Sequence, residues 1–209
     1  MTPSRISGMP AGRYSILDGY GRPRGTEKFR SAPGPMGWRY FSDVQIETKE
    51  PHHEIVDLAV DSFWRPVRTR IETGSHSILL IAEGDRLTGF RDGRPVAIPW
   101  GPDTELDYAS PAYNVVTATR LRRSAEFDVI FLEPVTCEPV LERQRYDLIG
   151  EEDVETAVGR FAATRWRFTA LAAGFTAGMW IAGDVLVRYE GLYELEWYEP
   201  GATGPPIRA

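Results

Sequence analysis

The sequence predicts a mainly β protein in which a single curved antiparallel sheet, a half-barrel, wraps around one central helix. Three observations support this fold class: about a dozen segments alternate apolar and polar residues with the period of two that strands require, turn-forming pairs separate many of them, and one helix-start signal lies near mid-chain. An all-β chain of 209 residues can form one domain. We expect residues 11–200 to form it, between a flexible leader, 1–10, and a flexible tail, 201–209.

The first half of the chain is predicted to form consecutive hairpins. The predicted strands cover residues 13–17, 26–30, 37–48, 54–60, 64–73 and 76–83. Gly74-Ser75 is a two-residue turn that pairs Thr73 with His76, and Asp92-Gly93 is a strong hairpin signal because both residues tolerate positive φ. Gly84-Asp85 indicates one more hairpin between them.

The single helix is predicted over residues 112–123. Ser110 is expected to cap its free N–H groups, and Pro111 suits the first helical position. Several β-branched residues also favour a strand, which is the alternative: Val115, Val116, Thr117 and Thr119.

Strands are predicted again after the helix. They cover residues 126–133, 140–149, 159–170, 176–182, 185–190 and 192–198. The segment 128–132 is apolar almost throughout, as expected for a strand covered on both faces. The helix is expected to supply the second cover.

Composition excludes several classes of function. With 24 basic and 30 acidic residues the formal charge is −6, and no basic stripe suits the phosphates of a nucleic acid. The N-terminus has no apolar run of signal-peptide length, and no window approaches a membrane-spanning helix. The single cysteine, Cys137, is predicted to be structural and suits a reducing compartment, so we expect a cytoplasmic protein. A homodimer is left open.

Three ionisable residues are embedded in a predicted apolar face of the hairpins. If the turn after the strand 54–60 centres on residues 62 and 63, Glu54 lies opposite Ile71. Glu54 is then one diagonal step from Thr73, the residue that pairs with His76. Glu54 or His76 would then act as acid or base, and Arg65 would stabilise an anion. The alternative is that these side chains lie in water at the rim.

The same register places Asp57 opposite Arg68 on the polar face, where the pair would be an ordinary surface ion pair. Seven other residues are predicted to contact the substrate. The alternative for them is that they fill the core, and the alternative for Asp107 is that it is an ordinary turn residue. These residues are Trp38, Tyr40, Asp107, Tyr108, Gln144, Tyr146 and Trp166. Tyr40 and Tyr146 are candidate hydrogen-bond donors because a buried hydroxyl needs a partner.

No metal or cofactor is predicted. In His52-His53-Glu54, adjacent histidines on a strand point to opposite faces, and the chain contains only one further histidine. The sequence has no phosphate-binding Gly-Lys-Ser/Thr loop, no Gly-x-Ser-x-Gly elbow and no dinucleotide glycine pattern.

The order of elements resembles that of a known group of open β-barrels. The strand series from Gly37, the helix from Pro111 and the closing segments 154–161, 179–181 and 187–191 are similar to those of outer-membrane lipoprotein carriers and related bacterial domains of unknown function. An enzyme of the violacein pathway also uses this fold. The resemblance implies the fold and transfers no catalytic residue. The absence of an export signal in this sequence differs from the pattern of the lipoprotein carriers, which are exported.

The leading functional hypothesis is a small-molecule-binding half-barrel that performs cofactor-independent acid–base chemistry on a largely hydrophobic substrate. A lyase, isomerase or cyclase fits, since such steps need only proton transfer and charge stabilisation. The alternative is a non-catalytic binder or carrier of a lipid or other hydrophobic ligand. Ionisable groups on an apolar face favour catalysis, because unpaired buried charge is costly. A third alternative is interaction through a sheet edge.

Overall fold

The computed structural model describes residues 8–208, which form fifteen strands and one helix. The strands are β1 (Ala11–Leu17), β2 (Pro23–Gly34), β3 (Gly37–Ile46), β4 (His52–Asp61), β5 (Pro66–Glu72), β6 (Ser77–Glu83), β7 (Arg86–Arg91), β8 (Arg94–Pro99), β9 (Thr104–Asp107), β10 (Ala125–Leu132), β11 (Pro139–Thr156), β12 (Gly159–Ala170), β13 (Phe175–Ala182), β14 (Val185–Tyr189) and β15 (Tyr193–Glu199). The helix, α1 (Pro111–Leu121), lies between β9 and β10. Residues 1–7 of the predicted leader and residue 209 of the predicted tail lie outside the described residues.

All fifteen strands belong to one sheet, in the order β8-β7-β6-β5-β4-β3-β2-β1-β15-β14-β13-β12-β11-β10-β9. The first and last strands of the chain are neighbours in the middle of this sheet, while β8 and β9 form its two edges. Neighbouring strands are antiparallel, except that β9 and β10 are parallel. The prediction of a mainly β protein built on one unclosed sheet with one helix is confirmed.

The parallel pair explains where the helix occurs. Parallel neighbours cannot be joined by a tight hairpin and need a crossover connection, which α1 supplies between β9 and β10. Pro111 stands in the first turn as predicted. The prediction that Ser110 caps the helix through its side chain is wrong, because its hydroxyl instead donates to Glu27 on β2, 2.7 Å away.

The sheet curves enough for α1 to contact strands that are far apart in its order. Tyr113 hydrogen bonds with Thr69 on β5, and Asn114 donates to the Tyr146 hydroxyl on β11 at 2.9 Å. Eight strands separate β5 from β11 in the sheet order. The first eight residues of α1 are buried, and their apolar side chains belong to the same core cluster as those of the sheet.

The hairpin predicted at residues 74 and 75 has the expected register. Thr69 pairs with Leu80, Ile71 pairs with Ile78, and the Thr73 amide donates to the His76 carbonyl at 2.8 Å. A two-residue connection leaves little freedom in the pairing of its flanking strands, and this prediction is confirmed.

The register predicted between β4 and β5 is wrong by two residues. Asp57 pairs with Arg70 instead of Arg68, since the turn is longer than expected and a bulge interrupts the ladder between Ala59 and Val60. Asp57 still accepts a hydrogen bond from the Arg68 guanidinium at 2.7 Å. The same bulge turns Val67 toward solvent.

Two short segments lie outside the predicted strands. Strand β9 was not predicted, because it has only four residues and its pairing partner, β10, lies beyond the helix. In the predicted tail, the Arg208 amide donates to the Arg160 carbonyl at 2.7 Å and the Arg208 side chain bonds with Asp153. Across residues 8–208, no helix has both the length and the apolarity needed to cross a membrane.

Candidate functional site

An interior cleft of about 390 Å³ lies at the N-terminal end of α1. Much of its wall is apolar, contributed by β1, β3, β10, β12 and β13 through Ile16, Val44, Ile46, Phe131, Phe168 and Phe175. Polar side chains from β4, β9, α1 and β11 also line it, and four of them, Glu54, Asp107, Tyr108 and Gln144, belong to the predicted site. The cleft is therefore the candidate site.

A larger groove of about 690 Å³ lies along β1, β2 and β15. Its charged lining consists of solvent-exposed side chains such as Arg13, Lys28 and Arg30, and Arg13 pairs with Glu196 there. We prefer the interior cleft because it combines apolar walls with buried titratable groups, as small-molecule sites do.

Glu54 is the carboxyl group at the β4 side of the cleft and is only 5% exposed. The Tyr108 hydroxyl donates to its Oε2 at 2.5 Å, and the Nε2 of His52 lies 2.9 Å from its Oε1. Burial, followed by the charge of Glu54, raises the pKa of Tyr108 well above its usual value. The phenol therefore stays protonated and donates to the carboxyl group.

A hydrogen bond joins the side chains of His52 and Glu54. The other ring nitrogen of His52, Nδ1, lies 3.0 Å from the Glu50 carbonyl oxygen, which can only accept, so Nδ1 carries a proton. Protonation of Nε2 as well makes the ring an imidazolium, which donates to the carboxyl group of Glu54. Burial lowers the pKa of His52, but the hydrogen bonds to Glu50 and Glu54 outweigh it and the pKa is raised.

Asp107 forms the second buried carboxyl group of the cleft. It is 7% exposed, and it accepts hydrogen bonds from Gln144 Nε2 at 2.6 Å and from the Tyr108 amide at 2.8 Å. Burial raises its pKa to about 6 although both hydrogen bonds oppose the shift. Asp107 is the last residue of β9, and the helix begins at Pro111 after a short connection.

A third carboxyl group, Glu27, lies behind the cleft and anchors the start of α1. Its Oε1 accepts from the Tyr40 hydroxyl at 2.8 Å and from the Ser110 hydroxyl at 2.7 Å, whereas its Oε2 has no partner among the described residues. Complete burial raises its pKa to about 7. Predicted residue Tyr40 thus bonds with a protein carboxyl group.

Predicted residues His76 and Arg65 are not brought to Glu54. His76 bonds with Asp92 at 2.8 Å in the β7–β8 hairpin region, so the expected Glu54–His76 pair is wrong. Arg65 stacks on Trp100, 3.8 Å from the ring centroid, and donates to the carbonyls of Gly101 and Pro102. The separation of His76 from Glu54 has a geometric cause. Glu54 pairs with Val44 on β3, and its side chain is bonded by His52 on the same strand and by Tyr108 after β9.

The remaining predicted residues are buried outside the cleft lining. Trp38 donates to Asp184 at 2.8 Å. Tyr146 accepts from Asn114, which itself lines the cleft, and Trp166 packs edge-on against Tyr146. Tyr146 therefore supports the cleft through Asn114.

Sequence reasoning missed His52, Glu27 and Arg24. A local signal existed for His52, because residues two apart on a strand share a face and His52 therefore accompanies Glu54. Arg24 lines the cleft at the start of β2. Nothing local distinguishes Glu27, whose partners lie on β3 and at the helix start. Within residues 8–208, no cluster of three His, Cys, Asp or Glu side chains has the arrangement of a metal site.

The comparisons with known proteins establish a likeness of fold. A DUF1089 family protein from Pseudomonas aeruginosa is similar over 79% of this chain and 91% of its own, with a TM-score of 0.55 and 18% identity. A β-barrel-like protein of the domain of unknown function DUF1849 from Brucella abortus is similar over 92% and 98%, with a TM-score of 0.56 and 8% identity. No protein-family model and no curated protein sequence matches the chain. The predicted fold-level resemblance to bacterial barrel domains of unknown function is confirmed.

Proposed function

We propose that this protein binds a largely hydrophobic small molecule in the interior cleft and transfers a proton to or from it without a cofactor. The observation that carries the proposal is Glu54, a buried carboxyl group in an apolar cleft with Tyr108 and His52 on its two oxygens. Unsupported polar groups would be costly in such surroundings, and here both oxygens have partners.

The fold supplies the enclosure that such chemistry requires. In this proposal the half-barrel wraps around α1, and the cleft is the interior space left between the helix start and the strands. Apolar walls exclude water, so that the few polar groups act on a bound molecule in surroundings of low polarity.

Each member of the proton pathway has a distinct role. Glu54 is the general base or acid, since it lines the cleft. The Tyr108 hydroxyl fixes the orientation of the carboxyl group. The His52 side chain, 27% exposed, exchanges the proton between buried Glu54 and solvent. A lyase, isomerase or cyclase step needs no more than this.

The proposal can be tested with a nitrobenzisoxazole as a general probe of a base in an apolar site. Removal of its ring C–H proton forms a nitrile, breaks the N–O bond and leaves the electron pair on a coloured nitrophenolate. We expect Glu54→Gln to lower the rate by about a hundredfold. Glu138→Gln, which changes an exposed carboxyl group outside the cleft, should react as the unchanged protein does.

Circular dichroism should first establish that both variants are folded, and probe binding should be measured separately by equilibrium dialysis. If Glu54→Gln binds the probe and reacts at the rate of the unchanged protein, Glu54 is not the base and the catalytic proposal is wrong.

Carriage without chemistry is the second candidate, favoured by the predominance of apolar side chains such as Val44, Ile46 and Phe168 in the cleft walls. Native mass spectrometry of the freshly purified protein separates the two. A retained hydrophobic molecule that leaves chemically unchanged, together with an inert Glu54, would support a carrier.

A further inference from the structure

The charge in the cleft walls is unevenly distributed. Among the described residues that line the cleft, Glu54, Asp107 and Glu142 carry carboxyl groups and Arg24 carries a guanidinium group. Arg24 lies on β2, and Glu54 on β4 is paired with His52. Positive charge is therefore confined to the β2–β4 side of the cleft.

The opposite side holds negative charge without a matching cation. Asp107 on β9 and Glu142 on β11 flank β10, and both line the cleft. Asp107 accepts hydrogen bonds only from neutral donors, Gln144 and the Tyr108 amide. The Glu142 side chain makes no hydrogen bond or ion pair within the part of the chain that the structure describes.

Aromatic rings adjoin this acidic side. Phe168, Phe175 and Tyr189 line the cleft, and the Phe168 ring centroid lies 6.2 Å from that of Phe175 and 5.9 Å from that of Tyr189. Tyr189 is only 4% exposed, yet its hydroxyl has no hydrogen-bond partner among residues 8–208. The Tyr189 hydroxyl is not one of the fully buried polar atoms that lack a partner, so it is open to the cleft, where a ligand would provide a hydrogen-bond partner.

We infer that the ligand of the cleft is an amphipathic organic cation, with an ammonium group between Asp107, Glu142 and the aromatic rings and an apolar part along the remaining walls. Carboxylates and ring faces together recognise organic ammonium groups. The inference rests on the proposed function, since it names the substrate class of the same cleft.

The same charges disfavour the anionic lipids that an apolar cleft would otherwise suit. A carboxylate head group on the acidic side would meet Asp107 and Glu142 in surroundings of low polarity, where like charges repel more strongly than in water. A neutral alcohol would avoid this repulsion but would leave the two carboxyl groups without a cation.

Three probes of equal chain length test the inference on the full-length protein: decylamine, decanol and decanoate. Titration calorimetry at neutral pH and low salt measures each affinity. We expect decylamine to bind about tenfold or more tightly than decanol, with decanoate the weakest. Glu142→Gln should lower the decylamine affinity about threefold or more and leave that of decanol unchanged. Glu138→Gln removes the same charge outside the cleft and is the matched control.

Each outcome has a distinct meaning. If decanol or decanoate binds as tightly as decylamine, the preference for a cation is wrong while binding of apolar molecules in the cleft stands. Equal losses in Glu142→Gln and Glu138→Gln would show that the ammonium group does not lie beside Glu142, which also overturns the inference. If none of the probes binds, the proposed function fails together with the inference.

Discussion

At the residue scale, buried carboxyl groups distinguish this protein from one whose interior is wholly apolar. Glu27, Glu54 and Asp107 are each at most 7% exposed, and they surround the start of α1. Their partners are tyrosine, serine, glutamine and histidine side chains. For Glu27 and Asp107, burial raises the pKa above its ordinary value, which makes the stability of the fold depend on pH.

Glu27 is predicted to make stability fall as pH rises. Because burial raises its pKa from the ordinary 4.5 to about 7 in the folded state, the folded protein binds more protons than the unfolded chain between these values. Its stabilising contribution is thus complete below pH 4.5 and is lost as pH rises through about 7. The loss is on the order of 3 kcal/mol, since one pKa unit corresponds to about 1.4 kcal/mol.

Urea unfolding across this range checks the prediction. Glu27→Gln should remove the decline between about pH 6 and pH 7, and Asp107→Asn should remove only the part below its own pKa of about 6. Parallel stability curves for Glu27→Gln and the unchanged protein would show that Glu27 does not titrate in this way.

Residue pairs were predictable from sequence only where they were local. The period of two places His52 and Glu54 on one face and His53 on the other, where His53 contacts Asp43. The wrong partner, His76, was chosen because local alternation does not show where a ladder ends or which side chain from another hairpin reaches a residue. The β4–β5 ladder ends at Ile55 and Glu72, before it reaches Glu54, and His76 bonds with Asp92.

At the element scale, close contact between strands restricts particular positions. A Cβ at Gly25 would overlap the carbonyl oxygen of Gln45 on the neighbouring strand β3, which is backbone and cannot rotate away. Gly34, on the same strand β2, has open space, since the nearest atom to such a Cβ is the Gly37 carbonyl oxygen at 3.9 Å. The two glycines therefore make a matched pair.

Gly25→Ala is predicted to destabilise the fold by ~1–3 kcal/mol, because β2 must separate locally from β3. Gly34→Ala should change stability by less than about 0.5 kcal/mol. Chemical denaturation of both variants measures the difference. Equal stability of the two would mean that β2 shifts without cost.

The elements themselves were largely predictable. Strand β12 coincides with the predicted segment 159–170, and α1 begins one residue before its predicted start. The signals that predicted them are alternation, turn pairs and a proline at the first helical position. Each signal acts within a few residues, so the local structure that it favours is retained in the folded protein. Strand β9 was missed because its pairing partner, β10, lies beyond the helix.

At the scale of the whole molecule, the unclosed sheet has two unlike edges. Three residues of β9, Glu105, Leu106 and Asp107, are buried, whereas most of β8 is exposed and includes two prolines, Pro95 and Pro99. Prolines on an exposed edge hinder pairing with another chain. The β9 edge is protected from pairing with another chain because it is buried and because Arg120 of α1 forms an ion pair with Glu105.

Hydrogen exchange should reveal this asymmetry. We expect the amides of β8 to exchange at least about tenfold faster than those of β9, because local opening is easier where few side chains are buried. Exchange followed by mass spectrometry of the two segments makes the comparison within one sample. Similar rates would indicate that the two edges open together.

Patterns that span a few residues were enough to predict the class of the fold, nearly all of its strands, the position of its helix and the presence of ionisable groups among apolar ones. The pairs that these groups form depend on packing between distant segments: Glu54 with Tyr108, Asp107 with Gln144, and Glu27 with Ser110, 83 residues away. The physical reason is that curvature, bulges and strand register arise from the packing of distant segments, and a shift of one residue reverses the face of every side chain.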